Sequence, residues 1–253
     1  YMAGRWGREY QKEYIEISKG RFVLDGHRGT ASGPNFVPFF ALDEGEATET
    51  IGNVWFGSLH WSGNFKIEFE YPYTNQLCVT AGANDFDCEI ELNENAKYET
   101  PILTIGFSNS GYEKMSELLY DFQFDYLSPQ TKIKKDFPII YNSWYPYELD
   151  INEEKCLAFI DRLKDIGAEL FVIDDGWFMH RDDFDNGLGD WECDKNKFPN
   201  GLKIISDKAH ENNLLFGLWV EPEMVNEKSD LFKKHPEWVL EFPNRSRTKT
   251  GHR

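Results

Sequence analysis

The stretch Leu170-Phe171-Val172-Ile173-Asp174-Asp175-Gly176-Trp177 runs from four apolar residues into two carboxylates, a glycine and an indole. Four apolar residues, among them β-branched Val and Ile, read as a fully buried strand. Charge at the end of such a strand needs water, a partner or a ligand. In parallel α/β folds the carboxyl ends of the strands are where ligands bind. The stretch therefore predicts the floor of a binding site.

The neighbouring sequence repeats the theme on both sides. Upstream, Phe137-Pro138-Ile139-Ile140-Tyr141 predicts a short strand leading into Asn142-Ser143-Trp144. Residues 150–166 predict an amphipathic helix, with Asp150 and Glu153 resembling a capping box. Its buried face is Leu157, Ile160, Leu163 and Ile166, and Gly167 suits the C-terminal cap. Downstream, residues 178–200 form a long loop rich in Asp, Asn and Gly. Leu202, Ile205 and Ala209 predict a second helix, Leu214-Leu215-Phe216-Gly217-Leu218-Trp219-Val220 a third strand, and Asp230 opens another helical segment. Buried strands separated by helices imply a parallel sheet with right-handed crossovers. An open doubly wound sheet and a (β/α)8 barrel both satisfy that pattern. No GxGxxG or GxxxxGK[ST] follows a strand, which weighs against the nucleotide-binding version. Each strand instead ends in aromatic or acidic residues, the way barrel enzymes assemble a mouth. A full barrel takes about 250 residues, so the part after Phe137 predicts an incomplete one.

Residues 1 to 110 read differently. Asn64-Phe65-Lys66-Ile67-Glu68-Phe69-Glu70-Tyr71 alternates apolar and charged residues, as a half-exposed strand does. Leu77 with Val79, Cys88-Ile90-Leu92 and Leu103-Ile105-Phe107 repeat the alternation between turn formers such as Ser62-Gly63-Asn64. Met115, Leu118, Leu119, Phe122 and Tyr126 then fall at helical steps. The expected architecture is a multidomain β plus α/β chain: an antiparallel β-sandwich followed by an incomplete (β/α)8 TIM barrel. The expected boundaries are a sandwich over 1–118, a helical linker over 119–136, and the first part of a barrel over 137–253. Both termini read as cut from something longer, since the chain starts on Tyr1 and stops on Arg253 in a polar run.

Composition narrows the partners. The 253 residues are 40% hydrophobic and 16% aromatic, and 44 acids against 27 bases give a net charge of −17. That balance argues against nucleic acid, phosphate-rich substrates and anionic membranes, and suits a neutral ligand. No apolar run approaches transmembrane length, and no signal-peptide pattern opens the chain. Cys78, Cys88, Cys156 and Cys193 lie far apart without metal spacing, which favours a reduced, cytoplasmic chain. The six histidines show no HxxxH spacing, so a zinc site is not expected.

Asp174 and Asp175 are the first candidates for chemistry. A glycosidase pair must flank the scissile bond, about 5 to 9.5 Å apart, and sequence neighbours enter from one side only. Each can accept hydrogen bonds from adjacent hydroxyls, so binding is the favoured role. The competing reading is a helix N-cap plus a structural salt bridge. Trp144 and Trp219 sit at predicted strand ends, where an indole can stack on a sugar face, although core packing is the default for any one Trp. Glu221 and Glu223 flank Pro222 after the third strand, placed either to anchor the rim or to act as an acid.

Five motifs occur in a recognisable order: Tyr141-Asn142-Ser143-Trp144, Ile173-Asp174-Asp175-Gly176-Trp177, Gly187-Leu188-Gly189-Asp190-Trp191, Phe198-Pro199-Asn200-Gly201-Leu202, and Gly217-Leu218-Trp219-Val220-Glu221-Pro222-Glu223-Met224-Val225. Gly4-Arg5-Trp6-Gly7-Arg8-Glu9, Arg28-Gly29-Thr30 and Ser62-Gly63-Asn64-Phe65 agree with them. Together they resemble the α-galactosidases of glycoside hydrolase family 36. The resemblance implies an N-terminal β-sandwich, a catalytic (β/α)8 barrel and retaining hydrolysis of terminal α-galactose, as in melibiose and raffinose. It implies that Asp174 and Asp175 bind the galactose 4- and 6-hydroxyls and that Trp144 and Trp219 line the pocket. Trp6 resembles a tryptophan that reaches towards that pocket, and Arg253 the arginine that opens an Arg-Asn-Gln run and contacts substrate. The family's nucleophile belongs to a Lys-x-Asp motif on the fourth barrel strand and its acid/base to the sixth. Both are expected beyond Arg253, so no catalytic residue is expected in this chain. The implied partners are a small α-galactoside and further copies of the protein, as a dimer or tetramer. A related α-glycosidase or galactosyl transglycosylase, and a non-catalytic carbohydrate-binding protein on the same fold, are the alternatives.

Overall fold

The computed structural model describes residues 1–5, 7–27, 35–128, 137–241 and 243–247. Two compact units divide the chain, Tyr1–Ile133 and Lys134–Arg253.

The named strands of the first unit all pair antiparallel. Strands β1 (Met2–Arg5) and β2 (Arg8–Lys12) form a hairpin. Strands β3 (Gly20–Gly26), β4 (Phe39–Leu42), β5 (Val54–His60), β6 (Phe65–Tyr71), β7 (Cys78–Ala83) and β8 (Ile102–Ser108) build two three-stranded sheets, ordered β3-β6-β7 and β4-β5-β8. The alternation in β6 is what joins them. Phe65, Ile67 and Phe69 are buried, while Lys66, Glu68 and Glu70 stay partly in water. From the other sheet Phe40 and Leu59 complete the same core, and Phe40 meets Phe69 edge to face at 5.2 Å. Phe40 lies so close over β5 that a Cβ at Gly57 would stand 2.5 Å from its ring, so only glycine fits there. The opposite face of β5 offers Val54 and Phe56 to Met115 of helix α1 (Gly111–Phe122), with Leu118 and Leu119 beside it. The helix continues as one π-helical segment, Gln123–Leu127.

One expected strand is absent from this unit. Cys88-Ile90-Leu92 lies in an irregular exposed segment, because neither sheet offers its alternating apolar side a surface to cover.

The second unit is a parallel sheet in the order β9-β10-β11. Its elements are β9 (Ile140–Asn142), the short α2 (Trp144–Tyr147), α3 (Glu153–Leu163), β10 (Leu170–Ile173), α4 (Lys203–Glu211), β11 (Leu215–Leu218) and α5 (Asp230–Lys234). Cys156, Ile160 and Leu163 of α3 and Ile205 and Ala209 of α4 pack on Phe171 and Ile173 of β10. The other face is open: Ile140 and Leu215 are each 57% exposed. These are the first strand-helix repeats of an incomplete barrel preceded by a sandwich.

Three local expectations need correction. The cap of α3 is Asn152, whose Oδ1 accepts the Lys155 N–H at 2.9 Å, whereas Asp150 pairs with the Lys155 ammonium at 2.7 Å. Glu153 is likewise diverted to hold Asn200. Ile166 is exposed, because α3 tightens into a 3-10 turn at Lys164–Ile166 and its stripe rotates off the sheet. Gly167 does take the left-handed φ of +77° that ends such a helix.

Candidate active site

The parallel register brings the three strand ends to one edge of the sheet. Leu170, Phe171 and Val172 lie beside Ile140, Tyr141 and Asn142, and Leu170 to Ile173 beside Leu215 to Leu218. Alternation along β10 sends Phe171 and Ile173 to the helix side and Val172 to the open side. One step further, Asp174 follows Val172 and is half-buried, and Asp175 follows Ile173 and is only 2% exposed. Two adjacent carboxylates thus acquire opposite surroundings from the pleat alone.

Asp174 sits within a chain of hydrogen bonds that ties β9 to β10. Its Oδ2 accepts from the Asn142 side-chain amide at 2.5 Å, its Oδ1 from the Asp175 N–H at 2.7 Å, and its own N–H donates to Ser143 Oγ at 2.9 Å. Asn142 Oδ1 in turn accepts the Trp144 N–H at 2.7 Å. The Asn142-Ser143-Trp144 turn is therefore a bracket for Asp174, and Trp144 is fixed by the same bracket. Gly176 makes the turn after the acids possible: its φ is +103°, and a Cβ there would stand 2.9 Å from the Leu149 backbone.

Asp175 turns inward to Arg181, which is wholly buried. The guanidinium grips the carboxylate with both arms, Nε to Oδ1 at 2.8 Å and Nη2 to Oδ2 at 2.7 Å. Its remaining nitrogen, Nη1, donates to the carbonyls of Asp183, Phe184 and Asn186 at 3.2, 3.1 and 2.8 Å, and reaches Asn226 Oδ1 at 3.4 Å. A buried ion pair in which each carboxylate oxygen accepts one guanidinium N–H avoids the penalty of an isolated buried charge. Lys197 closes the loop from the other side, donating to the carbonyls of Leu149, Gly176 and Arg181.

Trp144 follows β9 and Trp219 follows β11, the strands on either side of β10, at this edge. Trp144 meets Phe184 edge to face at 6.1 Å. Trp219 continues the ladder beyond β11 by donating its N–H to Ile173 O, and its own carbonyl accepts from Trp177 Nε1, each at 2.9 Å. Trp191 stands across the Trp219 ring at 6.3 Å. Of the residues expected at the site, Asp174, Asp175, Trp144 and Trp219 come together at adjoining strand ends. Trp6 and Arg253 lie outside the described residues. Glu221 is half-buried and Glu223 exposed on the segment that leaves β11.

The structure adds Arg181, Lys197 and Asn226, which no motif singled out. One signal was present: Arg181 is the only Arg or Lys between Asp174 and Asp194, in a loop crowded with acids. Among the described residues, one group of potential metal ligands also gathers, His180, Asp190 and Asp230. Its two carboxylates already have other work. Both Asp190 oxygens accept backbone N–H groups at the start of α5, from Asp230 at 3.0 Å and Leu231 at 2.9 Å, and Asp230 pairs with Lys233 at 3.1 Å. Capping explains the cluster without an ion.

Comparison with known proteins bears directly on this geometry. The Melibiase family profile matches residues 97–253, and the glycosyl hydrolase family 36 N-terminal domain matches residues 1–93. Alpha-galactosidase Mel36A of Lactobacillus acidophilus is 38% identical over 245 residues, covering 96% of this chain and 33% of that protein. A variant of the Geobacillus stearothermophilus α-galactosidase AgaA, solved with stachyose, superposes with a TM-score of 0.93 at 36% identity, covering 99% of this chain and 35% of that one. Another AgaA variant, solved with raffinose, gives the same score, identity and coverage. The chain spans about a third of the length of the curated relatives it matches.

Proposed function

The chain belongs to glycoside hydrolase family 36, and on that premise we propose that the whole protein is a retaining α-galactosidase acting on melibiose- and raffinose-type oligosaccharides. The observation that carries the reading is the half-buried Asp174 at the end of β10, its carboxylate held by the Asn142 amide and the Asp175 N–H and its own N–H by Ser143, flanked by the strand ends that bear Trp144 and Trp219. A carboxylate held at two points and still reachable can accept hydrogen bonds from sugar hydroxyls. The indoles offer apolar faces to the C–H side of a pyranose.

Asp174 and Asp175 bind the 4- and 6-hydroxyls in this reading and do not perform the chemistry. Retaining hydrolysis needs two carboxyl groups about 5 to 5.5 Å apart on opposite sides of the glycosidic bond. Asp175 is committed to a two-armed ion pair, and Asp174 approaches from the same strand end. The nucleophile and acid/base therefore belong to barrel strands outside these 253 residues. No metal or organic cofactor takes part. The four free cysteines support a reducing, cytoplasmic setting, and the charge of −17 supports a neutral sugar rather than nucleic acid as partner. No described helix is long and apolar enough to cross a membrane. A dimer or tetramer is the assembly expected from the family.

Hydrolysis of p-nitrophenyl α-galactoside tests the proposal. The protein as encoded by its gene releases nitrophenol, and the 253 residues alone do not. Asp174→Asn in the full protein weakens galactose binding about 10- to 100-fold, the scale of one charge-assisted hydrogen bond. Galactose binding by the full protein without turnover would point instead to a carbohydrate-binding protein.

A further inference from the structure

We propose that Arg181 is the positioning residue of the galactose subsite. The inference rests on the functional reading above and extends it to a residue that touches no substrate. Asp175 is buried at the strand end, where a carboxylate side chain free to rotate would bind a hydroxyl in no single direction. The two arms of Arg181 remove that freedom, at 2.8 and 2.7 Å. A carboxylate has about four acceptor positions. The guanidinium fork takes one on each oxygen and leaves the others for a sugar hydroxyl. The third nitrogen of Arg181 holds the Phe184 carbonyl at 3.1 Å, and its guanidinium carbon lies 5.6 Å from the Phe184 ring. Phe184 meets Trp144 edge to face. One side chain thus sets the direction of the acid on β10 and steadies the aromatic wall that follows β9.

A lysine cannot replace this fork. It brings one compact charge and no planar pair of donors. If Arg181 acts through Asp175, its loss alters ground-state and transition-state binding of the sugar alike, so KM moves and kcat does not. A residue that only stabilises the fold would lower the melting temperature and leave KM in place.

The experiment is a double-mutant cycle in the protein as encoded, with Arg181→Lys, Asp175→Asn and the pair. It reads KM and kcat for p-nitrophenyl α-galactoside, galactose affinity, and thermal stability. Each single variant is expected to raise KM about tenfold with kcat within about threefold, and the double variant to be no worse than Asp175→Asn, as coupled neighbours require. An unchanged KM in Arg181→Lys, or effects that multiply in the double variant, would overturn the proposal. Phe184→Leu leaves the ion pair whole and serves if the polar variants fail to fold. It is expected to raise KM by about threefold or more, and an unchanged KM there also counts against the inference. A native protein that neither binds galactose nor cleaves the substrate sinks the functional reading itself. Native activity with an indifferent Arg181 sinks only this one.

Discussion

Asp174 and Asp175 show how little a residue's identity says about its role. They are neighbours of the same type, and one faces Asn142 across a strand end while the other is locked to a buried arginine. The four cysteines divide in the same way. Cys156 lies in the core under α3, where burial, with the Glu153 charge as the lesser cause, pushes its thiol up to about 12. Cys193 is also raised, first by burial. Cys78 and Cys88 are exposed. The thiolate is the reacting form, and a raised value keeps Cys156 protonated at mildly alkaline pH. Iodoacetamide at pH 8 is therefore expected to label Cys78 and Cys88 first and Cys156 only after denaturation, as peptide mass mapping would show. Labelling of Cys156 in the folded chain at the rate of Cys78 would contradict the packing around α3.

Strand β6 makes the same point for an element. Its alternation was legible in sequence because one face meets a core and the other meets water, and that is how it folds. Leu103-Ile105-Phe107 has an equal pattern, and β8 forms there, yet Ile105 is 73% exposed. Periodicity reports which residues share a face, and only a facing layer decides whether that face is covered. Phe69 has such a layer in Phe40 of the other sheet, at 5.2 Å, and its cross-strand neighbour Phe22 lies at 5.9 Å within its own sheet. Phe69→Ala is expected to cost the first unit about 3–5 kcal/mol. The exposed Tyr73→Ala just beyond β6 stays within about 0.5 kcal/mol. Urea unfolding of the two variants measures the difference, and equal midpoints would mean that the two sheets do not share a core.

Across the whole molecule the open surfaces follow from the same count of layers. The parallel sheet is covered by α3 and α4 on one face and bare at Ile140 and Leu215 on the other. Bare apolar faces and sheet edges attract other apolar surfaces. The 253 residues alone are expected to bind the dye ANS in native buffer and to associate with rising concentration, followed by fluorescence and light scattering. A monodisperse chain that binds no dye and melts in one cooperative step would count against the exposed faces.

Sequence by itself determined the two kinds of layer, the parallel strand-helix repeats, the crowding of acids and indoles at strand ends, and the family. Those features rest on local periodicity and short motifs, which a chain carries wherever it folds. Only the tertiary structure decided that Asp175 belongs to Arg181, that Asn142 and Ser143 bracket Asp174, and that Asn152 rather than Asp150 caps α3. Side-chain partners of this kind are chosen by distance and burial in space, and the pattern along the chain holds no record of either.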